Sequence, residues 1–90
     1  MLIYVLIVSR EDSAETIYRS LKALEDKNIR KLFVVSGEYN LLAEIKAQNE
    51  TNLKEVLNKI RSTEGVITMN TLPVMHKTRE HDTLPKTSSH

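Results

Sequence analysis

The sequence predicts a ferredoxin-like α+β fold, in which four antiparallel strands and two helices follow the order βαββαβ. Four short segments are rich in Val, Ile, Leu and aromatic residues, which is typical of strands. Two segments carry apolar residues at helical spacing, one after the first strand and one after the third. A short, glycine-containing connection joins the second and third strands as a hairpin. Right-handed crossovers then place both helices on one face of the sheet.

The first predicted strand, Leu2–Val8, is a continuous apolar run followed at once by polar residues. It is far shorter than the about 20 residues of a transmembrane helix, and it lacks the preceding basic segment of a signal peptide. Its odd and even positions are both apolar, so both of its faces favour burial. Because the helices cover only one side of the sheet, we expect a second chain to cover the other, as in dimeric α+β barrels.

Each predicted helix carries one apolar stripe. Asp12 and Glu15 have the spacing of a capping box at the start of the first helix. Asn49 or Thr51 is the candidate N-cap of the second helix, and Gly65 follows its end. The stripes consist of Ala14, Ile17, Leu21 and Leu24 in the first helix, and of Leu53, Val56, Leu57 and Ile60 in the second.

The remaining predicted strands span 31–35, 41–47 and 66–72, and residues 36–40 form the hairpin connection. This connection allows two interpretations. In a plain turn, glycine supplies a positive φ and asparagine tolerates the left-handed region. In a binding site, the free backbone N–H groups of the turn, beside a phenol and two polar side chains, suit a small zwitterion.

Length and composition restrict the organisation of the chain. Ninety residues form one domain, predicted over 1–74, and residues 75–90 are predicted as a polar C-terminal tail. The absence of cysteine removes disulfides, iron–sulfur clusters and thiol catalysis. The three histidines, His76, His81 and His90, all fall in the tail at a spacing unlike that of metal ligands, so no metal site is expected.

Charge and motifs argue against several function classes. The formal net charge of +1 lacks the basic excess of a dedicated nucleic-acid binder, and helices separated by a hairpin cannot form a helix-turn-helix pair. The predicted domain has no histidine for a catalytic triad and no glycine-rich nucleotide loop. Glu38 and Glu44 remain as acid–base candidates. We expect no cofactor, no direct nucleic-acid partner and no membrane partner.

The segment Val34–Ala43 resembles the "v-x-G-E/D-Y-D-L-L" signature of the ligand-binding domain of the Lrp/AsnC, or feast/famine, transcriptional regulators. The opening strand is similar to the start of that domain. Gly65, Val66 and Thr71 resemble its closing "l-x-G-V-x-x-T-x-T" segment. The resemblance covers about residues 1–74 and implies the domain known as the regulation of amino-acid metabolism (RAM) domain.

The resemblance implies a pocket for an effector amino acid at the contact between dimers, often within an octamer. In the family, loop amides and a threonine help hold the α-carboxylate of the effector. Two positions differ from the usual pattern, since Asn40 replaces an aspartate and Met69 replaces the first threonine of the closing pair. These differences favour an uncharged or apolar amino acid. The effector-binding residues implied are Gly37, Glu38, Tyr39, Asn40, Met69 and Thr71.

Because Met1 stands directly before the first strand, the chain is similar to the stand-alone members of the family, which lack the helix-turn-helix domain. The expected function is an amino-acid-binding and oligomerisation module, not an enzyme, that modulates full-length Lrp/AsnC regulators in the cytoplasm without binding DNA itself. The alternative is a small dimeric α+β barrel enzyme of the monooxygenase or isomerase type. An ACT-like regulatory domain is a third hypothesis, but residues 9–13 lack the glycine that its ligand usually requires.

Overall fold

A computed structural model describes residues 1–75 of the chain and confirms the predicted ferredoxin-like α+β fold. Residues 76–90 of the predicted tail, with its three histidines, lie outside the described residues. In the described part, neither helix is long and apolar enough to cross a membrane. The elements are β1 (Leu2–Ser9), α1 (Ala14–Leu24), β2 (Ile29–Val34), β3 (Leu41–Lys46), α2 (Glu50–Arg61) and β4 (Val66–Pro73).

The four strands form one sheet in the order β2-β3-β1-β4, and every neighbouring pair is antiparallel. β1 therefore lies in the middle, between β3 and β4. Its odd-numbered residues are buried beneath the helices, with Val5 and Ile7 at 0% exposure. Its even-numbered residues are only half-buried on the opposite side. The predicted alternation of β1 is confirmed, and the core lies between the sheet and the two helices.

The two helices begin differently from each other. The predicted capping box is wrong, because the N-cap of α1 is Ser13, whose side chain makes no capping hydrogen bond. Asp12 has a left-handed φ of 64° and lies in the turn that precedes Ser13. The predicted Asn49 cap of α2 is confirmed, since its side chain accepts a hydrogen bond of 2.8 Å from the backbone N–H of Asn52.

Gly65 fixes the approach of the α2–β4 connection to the start of α1. Its φ is +102°, and a Cβ at this position would lie 3.1 Å from Cβ of Ser13 and 3.2 Å from Cδ1 of Ile17. Its carbonyl also accepts a 2.7 Å hydrogen bond from the backbone N–H of Arg10. Glycine is therefore required by both backbone conformation and space.

One ion pair connects the end of α1 to α2. Nζ of Lys59 lies 2.8 Å from Oδ2 of Asp26, and the Asp26 side chain is only 4% exposed. Desolvation of the Asp26 carboxyl raises its pKa. The hydrogen bonds from Lys59 and from the backbone of Asn28, together with the positive charges of Lys59 and Lys27, outweigh that effect and lower the pKa of Asp26 overall.

This ion pair predicts a pH dependence of stability. A carboxyl with a lowered folded-state pKa stabilises the fold above its unfolded pKa of about 3.9, and it loses that contribution as the pH falls through the folded value. Asp26→Asn should therefore unfold more easily than the wild type at pH 6, with a difference that shrinks below about pH 4. Urea unfolding across pH 2.5–7 measures this difference.

The matched control is Glu15→Gln, which removes the exposed ion pair of Glu15 with Arg19 within α1. An exposed pair contributes little, so this variant should unfold within about 0.5 kcal/mol of the wild type at neutral pH. A stability difference between Asp26→Asn and the wild type that stays constant down to pH 2.5 would refute the ion-pair account.

Candidate functional site

The side of the sheet opposite the helices, called here the open face, carries an apolar centre between two polar ends. Leu42 of β3 pairs with Leu6 of β1 on one side and with Phe33 of β2 on the other, and Phe33 is 47% exposed. By strand register the open face consists of Leu2, Tyr4, Leu6, Val8, Lys31, Phe33, Leu42, Glu44, Lys46, Thr68, Asn70 and Leu72.

The β2–β3 loop, residues 35–40, is tied to the end of β1 by Asn40. The backbone N–H of Asn40 donates to the carbonyl of Ile7 at 2.8 Å, and its carbonyl accepts from Val35 at 2.9 Å. Its side-chain Oδ1 accepts from the backbone N–H of Ser9 at 2.8 Å. Two of these bonds attach the loop to the end of β1, and the third closes the loop itself.

A cleft of about 470 Å³, called here the loop cleft, lies between this loop and the first half of β4. Nδ2 of Asn70 donates a 3.1 Å hydrogen bond to the phenol oxygen of Tyr39, which connects the loop to β4. The cleft offers an apolar wall, a phenol and a carboxylate to a small molecule. The residues that line it are Val8, Glu38, Tyr39, Thr68, Met69 and Asn70.

The structure brings some of the predicted site residues together and separates others. Glu38 and Tyr39 line the loop cleft, and Met69 reaches it although it also packs against the core. Gly37 lies in the same loop with a φ of +124°, and nothing lies within 4 Å of the position of a Cβ, so its need for glycine comes from the backbone alone. Thr71 pairs with Val5, beyond the cleft.

Two cleft residues, Thr68 and Asn70, were missed by the sequence prediction. They pair with Val8 and Leu6 and therefore share the open face with them, whereas Thr71 lies on the other side of β4. The alternation of β4 shows that residues 68 and 70 face one way and 69 and 71 the other. Only the register with β1 shows which pair belongs to the open face.

Asn40 serves the fold rather than the cleft wall. Its Oδ1 is occupied by the N–H of Ser9, and it is absent from the cleft lining. The asparagine that replaces the usual aspartate thus keeps the side-chain oxygen that the loop needs, and it adds no charge. The carboxylate at the cleft is that of Glu38.

A second cavity, of about 610 Å³, lies at the other end of the open face, next to the start of β1. The phenol O–H of Tyr4 donates a 2.8 Å hydrogen bond to Oε1 of Glu44, and this bond to Glu44 raises the pKa of Tyr4. Glu38 and Glu44, the two acid–base candidates, line different cavities and do not form a carboxylate pair. The cavity is lined by Met1, Leu2, Tyr4, Arg30, Lys31, Glu44 and Lys46.

Metal-binding groups do not converge in the described part of the chain. Within residues 1–75, no three side chains of histidine, cysteine, aspartate or glutamate lie close enough together to hold a metal ion.

Comparisons with known proteins agree with this architecture. A family model described as the Lrp/AsnC ligand binding domain matches residues 3–84, and no curated protein sequence matches the chain. The protein TTHA0845 from Thermus thermophilus superposes with a TM-score of 0.78 at 24% identity, over 88% of this chain and 98% of that one.

Two longer proteins, one of them described as a transcriptional regulator, share the fold over a part of their length. Escherichia coli AsnC superposes with a TM-score of 0.70 at 20% identity, over 93% of this chain and 56% of that one. The regulator NMB0573 of Neisseria meningitidis, in complex with L-Met, gives a TM-score of 0.72 at 15% identity, over 99% of this chain and 58% of that one. The chain thus spans just over half of each of these proteins.

The role of Asn40 in the loop predicts a stability difference between two substitutions. Asn40→Ala leaves the N–H of Ser9, a buried residue, without its acceptor and should lower the free energy of unfolding by about 1–3 kcal/mol. Asn40→Asp keeps a side-chain oxygen at the same place and should remain within about 0.5 kcal/mol of the wild type. Urea denaturation compares the three proteins. An equal loss in both variants would show that the side-chain oxygen does not anchor the loop.

Proposed function

The chain belongs to the Lrp/AsnC ligand-binding domain family, and we propose that it is an amino-acid-binding module with its site in the loop cleft. The observation that carries this proposal is that the loop of the family signature and the first half of β4 line one cleft. Its volume of about 470 Å³ lies within the usual range for small-molecule pockets.

The loop offers complementary groups to the two charges of an amino acid. The backbone N–H groups of residues 37–39 donate no hydrogen bond within the described part of the chain, so they are available to an α-carboxylate. The carboxylate of Glu38 suits the α-ammonium group. Val8 and Met69 provide apolar surface for a side chain. An uncharged or apolar amino acid fits these walls best. L-Methionine is the first to test, because the structure of NMB0573 is that of its complex with L-Met.

We propose that the module acts without chemistry of its own. An acid–base enzyme needs catalytic groups that converge on one substrate, and Glu38 and Glu44 line separate cavities at opposite ends of the open face. In residues 1–75, α1 and α2 are separated by β2 and β3, so these helices do not form a helix-turn-helix pair. Its regulatory effect would come from assembly with full-length Lrp/AsnC regulators in the cytoplasm.

We further propose that the apolar centre of the open face joins two copies, and that dimers associate further, up to an octamer, through contacts near the loop cleft. The support is the apolar centre itself, where Leu6, Leu42 and Phe33 lie side by side on three strands. Apolar side chains placed together on a sheet face are typical of an interaction surface. Dimerisation through this face leaves the helices on the outside.

The ligand prediction is tested by calorimetric titration with L-methionine and with the best amino acid from a thermal-shift screen. Tyr39→Ala should weaken binding at least about tenfold, because it removes the phenol between the loop and Asn70. Gly37→Val should abolish binding, because valine strongly disfavours a φ of +124° and would distort the loop.

The matched control for the titration is Thr71→Val, which changes a residue of β4 outside the cleft and should bind like the wild type. If all four proteins bind equally, the site lies elsewhere. If none of the twenty amino acids stabilises the wild type, the loop is a plain turn.

The assembly prediction separates the two faces of β1. Leu6→Asp places a charge on the open face and should leave a folded chain with a dimer dissociation constant raised by at least about 100-fold. Val5→Asp places a charge in the fully buried core and should prevent folding. Light scattering and circular dichroism distinguish these outcomes. A wild-type mass of 10.3 kDa, that of one chain, would contradict the proposed dimer.

A further inference from the structure

The second cavity, called here the cation cavity, holds more positive than negative charge. Its lining includes Arg30, Lys31 and Lys46 but only one carboxylate, that of Glu44. The side-chain ion pairs within residues 1–75 join Arg19 to Glu15 and Lys59 to Asp26, so none of the three cations is paired there. Among the side chains that line the cavity, positive charges therefore exceed negative charges by two.

The one carboxylate of the cavity is already engaged. Glu44 is the middle residue of a cross-strand row, with Tyr4 on one side and Lys31 on the other. It accepts the hydrogen bond of the Tyr4 phenol and makes no ion pair with Lys31 within 4.0 Å. Glu44 therefore neutralises none of the three cations through an ion pair, and the cavity also contains the apolar surface of Leu2.

Within one copy of the described chain, Glu44 supplies the only carboxylate among the residues that line the cavity. Glu38, the other carboxylate near this face, lies at the opposite end in the loop cleft. Covering unpaired charges with protein is costly unless they are neutralised. A bound anion would supply the counter-charge that the lining of the cavity lacks.

We propose that the cation cavity binds a small polyvalent oxyanion of the phosphate type. The guanidinium group of Arg30 can donate two parallel hydrogen bonds to such an anion, and the ammonium groups of Lys31 and Lys46 act as point charges. The cavity volume of about 610 Å³ accommodates a phosphate group with part of a larger molecule attached. This site is separate from the loop cleft, so the chain carries two different ligand sites at the two ends of one sheet face.

Thermal unfolding in sodium phosphate, compared with sodium chloride at the same ionic strength, tests this proposal. The wild-type melting temperature should rise saturably by about 5 °C in phosphate, because ligand binding to the folded state stabilises it. The double variant Lys31→Gln with Lys46→Gln should lose this rise. Calorimetric titration with inorganic phosphate should show tighter binding to the wild type than to this double variant.

The matched control is Lys22→Gln with Lys54→Gln, which removes the same charge from exposed positions on the two helices. Because phosphate also stabilises proteins through exclusion from their surface, the control defines that unspecific effect. An equal, saturable rise in both double variants would overturn the proposal, and so would a wild type with no saturable rise. Tyr39→Ala should keep the full phosphate response, so failure of amino-acid binding in the loop cleft can be told apart from failure here.

Discussion

The central constraint on this molecule is that β1 is apolar on both sides, whereas the two helices cover only one of them. The odd-numbered residues, such as Val5 and Ile7, complete the core and are fully buried. The even-numbered residues stand on the open face. Because β1 is a central strand, the polar residues of the open face lie near its two ends. The loop cleft forms where β1 ends, and the cation cavity forms where it begins.

The loop of the candidate site divides its structural role and the binding role proposed for it between adjacent residues. Asn40 uses its backbone N–H, carbonyl and side-chain oxygen to attach the loop to β1 and to close the hairpin. The three residues before it keep their N–H groups free within the described chain. A rigid attachment beside unpaired donors is the arrangement that preorganised ligand binding requires, because the donors need no rearrangement before they meet a carboxylate.

The fold could be predicted from the sequence because hydrophobic periodicity fixes the elements, and the hairpin fixes their pairing. The exact start of β2 and the full lining of the cleft could not be predicted in the same way. β2 begins at Ile29, two residues earlier than predicted. The pairing of β2 with β3 is irregular between Ile29 and Lys31, and Ile29 still pairs with Ile45 beyond this irregularity. Of the six residues that line the loop cleft, Glu38 and Tyr39 were predicted from the loop motif and Met69 from the closing segment. Thr68 and Asn70 were not predicted, because alternation separates Asn70 from Thr71 without showing which of them shares a face with Leu6.

Amide chemical-shift mapping during titration with L-methionine tests whether the loop cleft is the amino-acid site. If it is, saturable shifts should be concentrated at residues 36–40 and 68–70, and the amides around Lys31 and Lys46 should be unchanged. Those two regions lie at opposite ends of one sheet face, so one spectrum contains both the signal and its internal control. Shifts concentrated around the cation cavity, or no saturable shift for any amino acid, would show that the loop cleft does not bind an amino acid.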